Sequence, residues 1–198
     1  MSNLTLKNSR FVHIPKCAGT YTQALINFLI PNVERATHPH CGHLCLHQMP
    51  ETAHYNFTFV RHPYDWWPSY YYYMKKHVPQ PVPTIDEWLQ DEGPFWLGHY
   101  TTLVKRFIGV DELYPTKNKI NFIGKVESLR EDLLQALNSA GETFNVDSYA
   151  KFFDDKEASK RVERWRNSQS YNREISEASK DLIYRGEKWI FDTYNYEA

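Results

Sequence analysis

Six residues near the amino end, Pro15-Lys16-Cys17-Ala18-Gly19-Thr20, put a cation, small residues and a hydroxyl into one turn. They follow the strand-like run Arg10 to Ile14 and precede a stretch in which Ala24, Leu25, Phe28 and Leu29 share a helical face. A turn that opens a helix leaves backbone N–H groups unpaired at the positive end of the helix dipole, where phosphate and sulfate bind. Lys16 adds a point charge there, and Thr20 and Thr22 add hydroxyl donors. The Gly-x-x-x-x-Gly-Lys spacing of a triphosphate-binding loop is absent, and an ordinary strand-to-helix turn with a surface lysine accounts for the same letters.

A second cluster is Phe59-Val60-Arg61-His62-Pro63, with Ser69 eight residues beyond Arg61. An arginine at a strand end can grip a phosphate through two N–H bonds, and a serine on the next helix can add a hydroxyl. A surface ion-pairing arginine is the plain alternative. Histidine supplies the remaining chemistry: His38, His40, His43, His47 and His54 lie within a short span, and imidazole accepts protons near neutral pH. His40, Cys41, His43, Cys45 and His47 are also zinc-ligand types, but no Cys-x-x-Cys pair accompanies them. No metal is therefore expected. Cys17, at a helix start where thiol pKa values fall, invites a nucleophile reading.

These loops need a scaffold, and 198 residues suffice for one domain, 1–198. With 41% hydrophobic and 24% charged residues, the chain can build a core. A net charge of −1 argues against nucleic acid as a partner. Three cysteines are too few for a disulfide framework. The longest apolar run, Ala24 to Ile30 broken by Asn27, is far short of the ~20 residues of a membrane span, and no basic segment leads into an apolar one at Met1 to Leu4. A cytoplasmic protein without a transmembrane segment is the expectation; nothing sets its oligomeric state.

Strands are expected at Arg10 to Ile14, Asn56 to Val60 and Lys119 to Gly124. Between them, helices are expected from the turn to Pro31, at Tyr64 to Lys76 with Pro68 delaying or kinking it, and at Phe95 to Ile108, closed by Gly109. Thr84 with Glu87 and Ser128 with Glu131 read as capping boxes. Glu174 to Thr193 reads as a last helix, weakest at Gly186. Alternating strands and helices predict an α/β domain with a central, mainly parallel sheet. Ligands of such sheets bind beyond the carboxyl ends of the strands, which would put both loops on one rim.

Taken in order, the loops resemble a known family. His13-Ile14-Pro15-Lys16-Cys17-Ala18-Gly19-Thr20 is similar to the 5′-phosphosulfate loop of sulfotransferases, above all the heparan- and chondroitin-type carbohydrate O-sulfotransferases. Phe59-Val60-Arg61-His62-Pro63-Tyr64-Asp65 with Ser69-Tyr70 resembles their 3′-phosphate motif, and Phe122 to Glu127 with Asp132-Leu133 resembles the segment that follows. The resemblance implies a P-loop-like nucleotide-binding fold and 3′-phosphoadenosine 5′-phosphosulfate as co-substrate. Lys16 would then neutralise the leaving oxygen, while the backbone of Cys17, Ala18, Gly19 and Thr20, with the Thr20 hydroxyl, holds the 5′-phosphate. Arg61 and Ser69 would grip the 3′-phosphate, and Tyr21 would contact the adenine. Arg166, in the polar run Arg164 to Ser168, resembles part of a loop that closes over the nucleotide. Gly42-His43-Leu44 resembles the segment that carries a catalytic histidine in heparan sulfate 2-O-sulfotransferase, which makes His43 the first choice of base and His47 the second. His13 and His62 are expected to pack or orient, and Cys17 to serve through its backbone.

The implied reaction is sulfuryl transfer to a hydroxyl by in-line displacement. Trp66, Trp67, Tyr70 to Tyr73, Trp88, Phe95, Trp96 and Tyr100, edged by Lys75, Lys76 and His77, would suit a carbohydrate acceptor, with about half of the rings expected in the core. Beside the membrane-anchored members of that family, this chain shows no anchor, stem or cysteine pairs, so the resemblance implies a bacterial or viral version. An inactive nucleotide- or glycan-binding module on the same fold is the alternative, and retention of Lys16, Arg61 and Ser69 weighs against it.

Overall fold

A computed structural model describes residues 3–30, 34–36, 43–51, 54–77, 83–91, 97–147, 149 and 174–198. Five strands form one sheet in the order β3-β1-β2-β4-β5: β1 Asn3–Thr5, β2 Ser9–Phe11, β3 Glu34–Ala36, β4 Tyr55–Val60 and β5 Phe122–Lys125. Among the described residues seven helices accompany it: α1 Gly19–Leu29, α2 Pro63–Lys75, α3 Ile85–Asp91, α4 His99–Ile108, α5 Leu129–Ser139, α6 Glu177–Gly186 and α7 Lys188–Tyr194. The α/β class holds, but the sheet is mixed, not mainly parallel. β2–β4 and β4–β5 are parallel, with Phe11 opposite Phe57 and Val60 opposite Lys125, whereas β1 runs antiparallel to both β2 and β3. The cause is the short connection Leu6 to Asn8, closed by Leu6 N–H on the Ser9 carbonyl at 2.8 Å, which permits only a hairpin.

Alternation along the strands divides the core in two. Phe11, Phe57 and Phe59 face Leu25, Ile26 and Leu29 of α1 and Leu129, Leu133 and Leu137 of α5. Val12, Ile14 and Val60 face Trp66, Trp67 and Tyr71 of α2, Leu89 of α3, and Tyr100, Val104 and Phe107 of α4. Buried Thr58, on the Val60 side of β4, donates its hydroxyl to the Val12 carbonyl at 2.6 Å and so avoids an orphaned polar atom.

The helix ends follow local chemistry. Thr84 and Glu87 make the expected capping box on α3, at 2.7, 2.8 and 3.3 Å. On α5 the expected partner changes: Ser128 donates to Asp132 at 2.8 Å, and the same carboxylate oxygen accepts the Lys125 N–H at 2.6 Å, tying the end of β5 to the helix. α2 begins at Pro63 and not later, because the His62 ring caps it by accepting the Tyr64 N–H at 3.2 Å. A proline in the first helical position needs no N–H, and Pro68 lies within the helix. Gly186 ends α6, with α7 starting at Lys188.

Glu187, buried between those two helices, accepts from the Tyr100 N–H, the Thr101 N–H and the Thr101 hydroxyl at 3.2, 2.7 and 2.6 Å. A carboxylate at the amino end of α4 satisfies orphan donors and the helix dipole together. Beyond α7 the chain returns to the strand ends: Tyr196 donates to Glu127 at 3.0 Å, and Glu127 accepts the His62 N–H at 2.8 Å. Among the described residues no helix is long and apolar enough to cross a membrane.

Candidate functional site

Because β2 and β4 are parallel neighbours, the Lys16 turn and Arg61 leave the sheet side by side on the carboxyl-end rim. The turn is shaped by two non-glycine residues in the left-handed region, Lys16 at φ 65° and Ala18 at φ 53°. Each costs on the order of 1–2 kcal/mol, so tertiary contacts must hold them. Trp66 Nε1–H grips the Pro15 carbonyl at 3.0 Å, and the Cys17 N–H closes a turn onto the Ile14 carbonyl at 3.3 Å. The Cys17 N–H is thereby spent within the turn. The N–H groups of Ala18 and Gly19 have no hydrogen-bond partner among the described residues, and they stand at the start of α1.

Tyr100, fully buried on α4, joins the two loops through one hydroxyl. It receives the Arg61 N–H at 2.7 Å, donates to the Arg61 carbonyl at 3.0 Å and lies 3.5 Å from the Cys17 thiol. Burial pushes the Cys17 thiol up to about 12, so it stays protonated and is no nucleophile. The Arg61 guanidinium donates to the Lys16 carbonyl at 3.4 Å and stands 3.9 Å from Asp65.

Asp65, Ser69, Tyr73 and Lys76 recur at helical spacing from Arg61, so this face of α2 turns toward the Lys16 loop. Lys16 Nζ sits 4.8 Å from the centre of the Tyr73 ring. Burial, followed by the charges of Arg61 and Lys76, pulls the Lys16 ammonium from its ordinary 10.5 down to about 8. Three cations thus crowd a rim with unpaired N–H donors beside them, an arrangement that an anion relieves.

The sign of that shift gives a prediction. Between about 8 and 10.5 the folded chain binds fewer protons than the unfolded one, so the strain of the half-buried cation is full below pH 8 and disappears toward 10.5. Lys16→Met should raise the thermal midpoint at pH 7 by roughly 3 °C or more and by less at pH 10. Melting curves at the two pH values test it.

His43 reaches the same end of β2. Its Nδ1 lies 3.2 Å from the His13 carbonyl, and its ring meets the His13 ring edge-on at 4.4 Å. Burial lowers its pKa, which keeps the imidazole neutral and able to accept a proton at neutral pH. His47 goes elsewhere. It stacks on Tyr114 at 4.8 Å, and its turn is held through the Leu46 and Met49 carbonyls by Asn118, at the amino end of β5. Its Nδ1 is buried without a partner among the described residues.

Tyr21 packs against the core between α1 and α5. Ser69 is half-buried on α2. His62 orients, as expected, capping α2 and meeting the Glu197 carbonyl through Nε2 at 3.0 Å. Arg166, with the whole run Arg164 to Ser168, lies outside the described residues, as do His38, His40 and Cys41. Among the described residues no group of three or more metal-ligating side chains gathers.

Of the aromatic residues, Trp66, Trp67, Tyr71, Trp88 and Tyr100 are core, Tyr70 and Tyr72 are half-buried, Tyr73 is 46% exposed, and Phe95 and Trp96 fall outside the described residues. Sequence reasoning missed Tyr100 as the tie between loops and Tyr73 as the ring under Lys16. Helical spacing from Ser69 was a signal for Tyr73; nothing local marked Tyr100. Comparisons with protein-family models, with curated proteins and with solved structures find no match to this chain, so the site rests on its own geometry.

Proposed function

We propose that the chain is a sulfotransferase that moves a sulfuryl group from 3′-phosphoadenosine 5′-phosphosulfate to a hydroxyl, with a carbohydrate as acceptor class. The observation that carries this reading is the convergence of Lys16, Arg61 and Lys76 beside the unpaired Ala18 and Gly19 N–H groups. Such a rim fits a ligand with two anionic ends. Ala18, Gly19 and Thr20 would hold the 5′-phosphate, while Arg61 and Ser69 would hold the 3′-phosphate.

In the transfer step the acceptor oxygen bonds to sulfur as the sulfur–oxygen bond to the 5′-phosphate breaks. The acceptor proton goes to a histidine, and Lys16 neutralises the departing oxygen. His43 is the base in this reading, because its ring adjoins the strand end that leads into the anion turn while His47 stacks at the other end of the sheet. Tyr70, Tyr72 and Tyr73 offer rings to a sugar, with Lys75 and Lys76 beside them for an acidic one.

Calorimetric titration with 3′-phosphoadenosine 5′-phosphate, against AMP and ATP, tests the donor site. Tight binding that requires the 3′-phosphate upholds it; equal binding of AMP, or none, ends it. His43→Ala should lower transfer by roughly 10²- to 10⁴-fold with donor affinity unchanged. Full turnover in that variant would move the base elsewhere.

A further inference from the structure

His13 lies outside the roles given above, yet it is 3% exposed and reaches into the anion turn. A Cβ built on Gly19 would fall 1.7 Å from His13 Nε2 and 1.8 Å from its Cδ2. Cα–Cβ bonds of a helix lean toward its amino end, so the Nε2 side of the ring occupies the space over the first residue of α1, on the side where the unpaired N–H groups stand. The ring is fixed from three directions. Phe11 stacks on it at 5.8 Å, His43 meets it edge-on at 4.4 Å, and the Gln23 amide nitrogen lies 3.4 Å from its Nδ1.

That last contact sets the tautomer. An amide N–H can only donate, so Nδ1 accepts and the ring proton resides on Nε2. Nε2–H has no hydrogen-bond partner among the described residues. The atom is not sealed from solvent, so this N–H is open to a group bound at the rim, where an oxyanion can accept it.

Resting on the sulfotransferase reading, we propose that His13 is a binding residue whose Nε2–H donates to the tetrahedral oxyanion held at the start of α1, the 5′-phosphosulfate end of the donor. Burial, with the neighbouring His43 and Lys16, holds its pKa well below the ordinary histidine value, so it donates as a neutral imidazole and takes no proton in the reaction. Its task differs from that of Lys16: direction without charge, in a place where a fourth cation would add to the crowding.

The test compares His13→Leu, which fills the space without a donor, with His13→Gln, which keeps an N–H. Binding of 3′-phosphoadenosine 5′-phosphate and of adenosine 3′-monophosphate, which lacks the 5′ group, is measured by calorimetry. The Leu variant should lose about tenfold or more toward the first nucleotide and nothing toward the second, while the Gln variant stays within about threefold of wild type for both. In the unaltered protein, the His13 Nε2 nitrogen resonance should move on adding the first nucleotide and not the second. Unchanged binding by the Leu variant, equal losses toward both nucleotides, or a resonance indifferent to the first would overturn the proposal.

If the unaltered protein takes neither nucleotide, the sulfotransferase reading falls by itself. Inorganic sulfate then decides on His13: sulfate that raises the melting temperature of wild type but not of the Leu variant upholds the donor, and equal or absent protection removes it.

Discussion

Arg61→Ala should lower affinity for 3′-phosphoadenosine 5′-phosphate by about 100-fold while leaving AMP within about threefold. Two charge-assisted hydrogen bonds from one guanidinium are of that size, and a side chain only 13% exposed makes them in a poorly solvated place. The same substitution removes a cation that depresses the Lys16 pKa. Lys16 would hold its proton to higher pH, so the 5′ side of the site loses nothing in charge. Arg61→Lys should recover only part of the loss, because an ammonium cannot present two parallel N–H bonds. Calorimetry with the two nucleotides on the three proteins reads all of this, and matching losses for both would remove Arg61 from the 3′-phosphate.

Gly19→Ala should destabilise the protein by roughly 3 kcal/mol, a fall of about 6–12 °C in melting temperature for a chain of this size. A helical glycine exchanged for alanine ordinarily gains about 1 kcal/mol. Here the sign reverses, because the new methyl group would overlap the His13 imidazole, and that ring is pinned by Phe11, His43 and Gln23. The double variant Gly19→Ala/His13→Ala should melt well above the sum of its single effects, since each change makes room for the other. Urea or thermal unfolding of the four proteins completes the cycle; a Gly19→Ala protein melting within about 2 °C of wild type would mean that the ring yields freely.

Much of the scaffold was legible because its signals are local. The apolar run before Arg61, the Thr84–Glu87 box and the closing glycine at 109 each state their structure within a few residues. β1 was not legible: three residues give no alternation, and its partners are set by the hairpin at Leu6 to Asn8. At the site, Lys16, Arg61 and the small-residue turn could be read from type and spacing. The adjacency of His43 to His13 could not, since it depends on how residues 43–50 cross the sheet. The same crossing carries His47 to the opposite end. Asp132 in place of Glu131 shows a smaller version of the limit, where two acids one residue apart satisfy the same pattern and only the direction of β5 chooses between them.

Tyr100 makes the spacing between the Lys16 turn and Arg61 a property of the folded chain. Its hydroxyl is bound to both sides of the Arg61 residue and lies against Cys17, and its ring is sandwiched on Trp66 at 4.5 Å. The cost of bringing the two loops together is met during folding, before any ligand arrives. The site therefore behaves as a fixed caliper. In the proposed reading it would measure the distance between two negative groups, and a molecule whose groups stand closer or farther apart would have to bend itself, because the jaws share one bolt.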